Sequence, residues 1–364
     1  MSVSTTGIQI TNMICEVKSI TEALIAQQAG VAALLVVLER TPVTTSTVHG
    51  NPILMASNNT SWNVNYQLLH EIKNQFPNTA IIARIRKGHL VEAQLCEEMG
   101  IMMIDESDEM NVQVSESFVE KRNTHLTTAM TSPQVISTFT ETDHHSSYMC
   151  ACSDLPEALK RIHEGANMLR TRGEFWCPQK GESCTSSLLL SCVTQIKEIS
   201  KSVDNIVNTL NEEQIESLAS REEIPKSLLL SMRQQQQLLV PLFAYGGICC
   251  PADVALVMQM PNVSGVIIGN EIFGYDNPLK LLRCMVQAAR LYKNPSLLLQ
   301  LSLEFGSLQS SVRPTTPQAV QAKKLLDEKG SSQPAQQLTE HHKPIDSSHL
   351  REELSSVVAN NDFM

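Results

Sequence analysis

The sequence predicts a closed (β/α)8 TIM barrel of the α/β class over residues 1–310 of its 364. Three observations carry that expectation. First, Glu22-Ala23, Glu92-Ala93 and Glu157-Ala158 are each followed eight residues later by a glycine, Gly30, Gly100 and Gly165, and then by an apolar run. A helix closed by glycine and turned at once into a buried strand is the αβ half of a βαβ unit. Second, eight apolar runs of strand length occur in sequence, which favours a closed barrel over an open doubly wound sheet, the alternative architecture. Third, glycines follow the seventh and eighth runs, where barrels of this kind close around phosphates.

The strand candidates are Gln9 to Val17, Ala32 to Val37, Ala80 to Ile85, Ile101 to Asp105, Ser147 to Cys152, Asn167 to Thr171, Pro241 to Ala244 and Val263 to Gly269. Helix start signals lie between several of them, as in Ser153-Asp154-Leu155-Pro156-Glu157 and Cys250-Pro251-Ala252-Asp253. Proline at a first helical position gives up no bonded N–H, and a small polar residue before it caps the turn. Gln234 to Gln237 reads as the end of a surface helix. Residues 111–146 are polar and rich in Ser and Thr, and are expected to form an excursion on one barrel face. Residues 311–364, dominated by Gln, Ser, Pro and charge, are expected to be a largely disordered tail.

Composition limits the function. With 28 Lys and Arg against 38 Asp and Glu, the formal charge of -10 argues against a surface built for nucleic-acid phosphates or anionic lipid. The longest apolar runs fall short of the roughly 20 residues that a membrane helix needs. The first residues show no secretory or organellar pattern, so a cytoplasmic protein is expected. Ten cysteines in this setting read as packed thiols. Cys150-x-Cys152, with Cys177 and Cys184, lacks the spacing of a zinc site, and no metal or cofactor is expected. His144-His145 and His341-His342 read as solvated loop residues.

The linked motifs Leu38-Glu39-Arg40-x-Pro42, Gly88-His89-x-Val91-Glu92-Ala93, Ile104-Asp105-Glu106-Ser107, Glu164-Gly165-Ala166-x-Met168-Leu169-Arg170-Thr171, Gly246-Gly247-x-x-x-Pro251-Ala252-Asp253 and Ile272-Phe273-x-x-x-Asn277-Pro278 occur in order. Together they resemble the PdxS/SNZ (Pdx1) family, the synthase (lyase) subunit of glutamine-dependent pyridoxal 5′-phosphate synthase. The resemblance runs from about residue 14 to about residue 308. It implies a barrel assembling as hexamers and dodecamers. It also implies condensation of ribose 5-phosphate, glyceraldehyde 3-phosphate and ammonia through imines on two lysines, with ammonia from a glutaminase subunit.

In register, those lysines fall at Arg84 and Arg172, and the first-strand aspartate at Glu16. An imine needs a neutral amine, and a guanidinium stays charged and delocalised. The longer Glu16 side chain moves the carboxylate by one methylene. The glycine-rich loop after the second lysine is replaced by Phe175-Trp176-Cys177-Pro178-Gln179-Lys180. No cation lies between Lys180 and Lys197 to hold a second phosphate, and Asn270 stands where the family has serine. Gly246, Gly247, Gly269 and Asn270 are the candidate substrate-phosphate contacts. Strand alternation places Arg84 and Arg86 on one face and Lys87 on the other, so Lys87 is not expected to replace the first lysine, and neither is Lys180.

Three functions follow from these residues. The leading one is a non-catalytic or regulatory subunit of vitamin B6 biosynthesis that co-assembles with an active synthase paralogue or with itself. The others are an active synthase subunit and a stand-alone sugar-phosphate-binding barrel, in which Arg84 and Arg172 hold a phosphate or a carboxylate. Only about a dozen residues, without a helix pattern, precede Met13, so stimulation by the glutaminase is expected to be weak or absent.

Overall fold

The computed structural model describes residues 12–43, 47–48, 51–52, 61–108, 146–172, 176–177, 182–183 and 188–309. Eight parallel strands close into a barrel: β1 (Met13–Val17), β2 (Ala33–Val37), β3 (Ala80–Arg86), β4 (Met103–Asp108), β5 (Ser147–Cys152), β6 (Met168–Thr171), β7 (Leu242–Tyr245) and β8 (Val263–Ile268). Each pairs with its neighbours in sequence, and β8 closes on β1 with Val266 opposite Met13 and Ile268 opposite Cys15. The expected strands agree within a few residues. β1 starts at Met13, the first part of its expected span from Gln9 lying outside the described residues, and β4 starts at Met103 and runs on to Asp108.

Around the barrel lie α1 (Ile20–Ala29), α2 (Gln67–Gln75), α3 (Leu90–Glu98), α4 (Leu155–His163), α5 (Leu188–Asn208), α6 (Glu212–Glu222), α7 (Lys226–Gln235), α8 (Pro251–Met258), α9 (Pro278–Arg290) and α10 (Pro295–Gln309). Three of these, α5 to α7, fill the β6 to β7 crossover. The helix ending at Gln235 closes on Gln236 in a left-handed conformation, as the glutamine run suggests.

The Glu-Ala repeat has a physical basis. In α1, α3 and α4 the cap residue, Ser19, His89 or Asp154, accepts from the backbone N–H of the glutamate three residues on. That glutamate then reaches back over the turn. Glu22 accepts from Lys18 N at 2.6 Å, Glu92 from Arg86 N at 2.8 Å and Glu157 from Ser153 N at 2.9 Å. This is a relative of the capping box, displaced by one to three residues onto the end of the preceding strand. Asp253 does the same at α8, accepting from Cys249 N at 3.1 Å. The alanine after each glutamate is buried against the barrel. Gly30, Gly100 and Gly165 then take positive φ values of 88, 67 and 101° and release the chain into the next strand.

Two cores result from strand alternation. Outward residues pack beneath the helices in a large apolar layer that includes Cys15, Cys150 and Cys152. Cys150 and Cys152 are buried on that outer face. Inward residues form a second cluster of Ile14, Ala33, Leu35, Ile82, Met103, Met149, Met168, Phe243, Tyr245 and Ile267 inside the barrel. The ring of Phe243 takes the space beside β8. A Cβ at Gly265 would collide with that ring and with the Asn12 carbonyl oxygen.

Short antiparallel pairs also follow β2 and β6: Glu39–Val43 with Ser61–Asn65, Thr47–Val48 with Asn51–Pro52, and Trp176–Cys177 with Glu182–Ser183. The sequence reading contained none of them. The chain divides into two units, Met1–Arg313 and Pro314–Met364. The second unit, like most of the polar segment 111–146, lies outside the described residues, as do Lys180 and Cys184.

The collision at Gly265 sets an expected outcome. Gly265→Ala should lower unfolding free energy by about 1–3 kcal/mol, the usual range for overpacking. Combined with Phe243→Leu it should cost less than the sum of the two, as urea denaturation of both single variants and the double would measure.

Candidate active site

Near the C-terminal end of the barrel, an inward position on several strands is charged. Glu16 comes from β1, Arg84 from β3, Asp105 from β4 and Arg170 from β6, and all four are buried. Period-2 alternation puts them in the same channel as the apolar cluster, one layer above it. Register places Arg84 directly opposite Asp105. Tyr245, the last residue of β7, enters the same layer.

The bonds are continuous. Arg84 donates through Nε to Asp105 Oδ2 at 2.9 Å and through Nη1 to Glu16 Oε2 at 3.2 Å. Arg170 donates through Nε to the other oxygen of Asp105 at 3.2 Å and through Nη1 to the Thr171 carbonyl at 3.2 Å. The Tyr245 hydroxyl donates to Glu16 Oε2 at 2.6 Å and accepts from Arg84 at 3.4 Å. The guanidinium carbons of Arg84 and Arg170 lie 5.2 and 4.6 Å from its ring centroid, within cation–π range. Two positive and two negative charges are thereby matched inside the barrel.

Thr171 secures the tyrosine. Its hydroxyl accepts from Tyr245 N at 2.8 Å and donates to Tyr245 O at 2.7 Å. The β6 to β7 ladder pairs Leu169 with Leu242 and Arg170 with Phe243. The Thr171 side chain extends that pairing to the strand's last residue.

These contacts set the protonation states. Burial pushes the Glu16 carboxyl up, but Arg84, the Tyr245 hydroxyl, Lys18 and Arg170 outweigh it and hold it below its ordinary 4.5. Burial does the same to Asp105, and Arg170, Arg84 and Ser107 outweigh it, so it lies below its ordinary 3.8. Both acids are carboxylates at neutral pH.

The sequence-predicted site residues divide into two groups. Glu16 and Arg84 meet as expected of residues sharing one site. Arg172 is elsewhere: its guanidinium pairs with Glu157 of α4, its backbone N–H donates to Gln195 at 3.0 Å, and its side chain is 33% exposed. Burial pushes Glu157 up, and Arg172 and the Ser153 donors bring it below its ordinary range. Arg86 does not follow Arg84 into the barrel layer. It is drawn to Glu92 at 2.7 Å, where the register with β4 shifts between Ile85 and Arg86.

Gly246 and Gly247 form the turn after β7, with φ of 115 and 69°, and Gly269 and Asn270 follow β8. Lys18, at the end of β1, joins the two parts of the mouth. Its ammonium lies 3.7 Å from Glu16 Oε1 and donates to Asn270 Oδ1 at 3.1 Å, and its side chain is 49% exposed. Among the described residues no group of His, Cys, Asp and Glu is arranged to hold a metal, and no helix is long and apolar enough to cross a membrane.

Asp105, Arg170, Tyr245 and Lys18 were not singled out as site residues in the sequence. The available signal was charge inside otherwise apolar strands: Glu16, Arg84, Asp105 and Arg170 each interrupt such a run.

Residues 3–245 match the SOR/SNZ family. The chain belongs to that family. It is 30% identical over 294 residues to the pyridoxal 5′-phosphate synthase subunit Pdx1 of Plasmodium falciparum, covering 81% of this chain and 84% of that protein. It is 29% identical over 294 residues to subunit PDX1.3 of Arabidopsis thaliana, covering 81% and 82%. It is 30% identical over 312 residues to subunit PdxS of Haemophilus influenzae, covering 86% and 93%. Within this SOR/SNZ protein, then, the layer that carries Arg84 is buried, and its charged groups are paired with one another.

The engagement has a measurable cost when broken. Arg84→Met should destabilise the protein by roughly 3–5 kcal/mol, because Glu16 and Asp105 stay buried with part of their compensation gone. The pH dependence has a definite sign. Carboxyls with lowered folded-state pKa values contribute stability above their unfolded values, and that stability is lost as pH falls through the folded ones. Urea unfolding should therefore show near-constant stability down to about pH 5 and a decline below about pH 4. In Arg84→Met the two carboxyls lose a partner that lowers them, so the decline should be smaller than in the wild type and should end at higher pH.

Proposed function

We propose that this chain is a non-catalytic subunit of the pyridoxal 5′-phosphate synthase type, acting in vitamin B6 biosynthesis by assembling with an active synthase paralogue. One observation carries the reading. Arg84, at the position of the family's first imine lysine, is a buried guanidinium spent on Asp105 and Glu16 and stacked beside Tyr245. A guanidinium offers no neutral amine to an aldehyde. The neighbouring groups give it no cause to lose its proton, since both partners are anionic. Arg172, at the second position, is held by Glu157. The shell of the barrel is intact, so the surfaces through which such subunits associate have a scaffold to stand on.

The test of assembly is co-expression with a lysine-bearing paralogue. The two should elute as one complex, and separate elution would remove this reading. A homogeneous protein that assembles only with itself and binds pentose phosphate would favour a stand-alone barrel instead.

One observation favours the active reading. Lys18 places a half-exposed amine at the mouth, 3.7 Å from Glu16. Incubation with ribose 5-phosphate, borohydride reduction and intact mass separates the two readings. The non-catalytic reading expects no adduct; an adduct present in the wild type and missing in Lys18→Met would establish imine formation at Lys18.

A further inference from the structure

Gly269 has an ordinary backbone, with φ of -69°, so conformation does not require glycine there. The position of its missing Cβ is taken up by the carboxylate of Glu271, the far end of a flexible side chain. The side chain of Glu271 thus folds back over the turn that follows β8. In barrels this turn and the one after β7 are where an anion settles against exposed backbone. Here the place over the glycine already contains an anion belonging to the chain.

A second observation locates the charge. Burial pushes the Cys15 thiol up, and Glu16, Glu22 and Glu271 push it further. Burial, then Asp253, then Glu271 raise Cys249. Cys15 is on β1 and Cys249 lies in the β7 to α8 loop. A carboxylate felt by both projects toward the rim between β1, β7 and β8. Lys18, a cation at that rim, is committed to Glu16 and to the Asn270 amide oxygen. A phosphate arriving there meets Glu271 as a like charge, with Lys18 already shared.

We propose that Glu271 is a specificity-determining residue whose carboxylate occupies the anion position over Gly269 and excludes phosphate monoesters from the barrel mouth. This rests on the phosphate reading of the glycine corner and deepens the non-catalytic reading: the subunit has lost its grip on the substrate's phosphate as well as its amine. It does not depend on assembly, so its failure would leave co-elution with a paralogue untouched.

The experiment is calorimetric titration of the full-length protein with inorganic phosphate and, separately, ribose 5-phosphate. Glu271→Gln keeps the shape of this exposed side chain and removes its charge. It should bind both ligands at least about tenfold more tightly than the wild type, the ratio expected when one partly screened like charge is removed. Glu213→Gln, on the distant surface of α6, should leave affinity unchanged. A gain for inorganic phosphate alone still supports exclusion at the corner; a larger gain for ribose 5-phosphate adds contacts from the sugar. Equal affinity of wild type and Glu271→Gln, no binding by either, or an equal gain in Glu213→Gln would each overturn the proposal.

Discussion

Charges taken out of water must be matched, and in this barrel the matching is done across its width. Glu16, Arg84, Asp105 and Arg170 come from β1, β3, β4 and β6, and Tyr245 from β7. Each ion pairs with a residue on another strand, so the layer forms only when the barrel is closed. A buried pair of this kind is weak evidence for net stability, because desolvation opposes the attraction. It is strong evidence for specificity of arrangement. Any one member removed leaves its partners uncompensated, and the register that brings Arg84 opposite Asp105 is the one that satisfies both.

Arginine suits this layer in a way that lysine would not. The planar fork of Arg84 reaches Asp105 from Nε and Glu16 from Nη1 at the same time, while presenting a face to the Tyr245 ring. A lysine ammonium is a point charge without that face or that span. The ring of Tyr245 packs against both the Arg84 and the Arg170 guanidinium. Arg84 and Tyr245 are therefore parts of one packing solution inside the barrel.

The barrel was legible in the sequence because each of its signals is local. The Glu-Ala repeat states the βα clasp, the glycine eight residues later states the αβ turn, and apolar runs of four to seven residues state the buried strands. All three depend on neighbours within about ten residues. The charged layer was only half legible. Arg84 and Glu16 were found by resemblance, but Asp105, Arg170 and Tyr245 join them through pairings 21 to 229 residues apart in sequence. Such pairings follow from barrel closure and register, which no local pattern states. Arg172 illustrates the same limit. It has the parity of Arg170, yet at the strand end it is drawn to Glu157, the clasp residue of α4, and parity no longer decides. The short hairpins after β2 and β6 were missed because two-residue and five-residue strands rich in Asn, Thr and Pro carry no periodic signal.

Glu16 links the closed interior to the open mouth. Its Oε2 belongs to Arg84 and Tyr245, and its Oε1 faces Lys18, which in turn holds Asn270 beyond β8. A carboxylate with one oxygen in each environment carries the balance of one into the other. If Arg84 were to release Glu16, the carboxylate would lean on Lys18 more strongly and draw it from Asn270; if an anion at the mouth were to claim Lys18, Glu16 would rely more on Arg84. An anion gripped at the mouth would therefore be coupled to the buried layer, and Glu271, by standing at that position, leaves the layer in its resting balance. The extra methylene of Glu16 fits this arrangement, since the two oxygens must reach an interior guanidinium and a rim ammonium from a single position on β1.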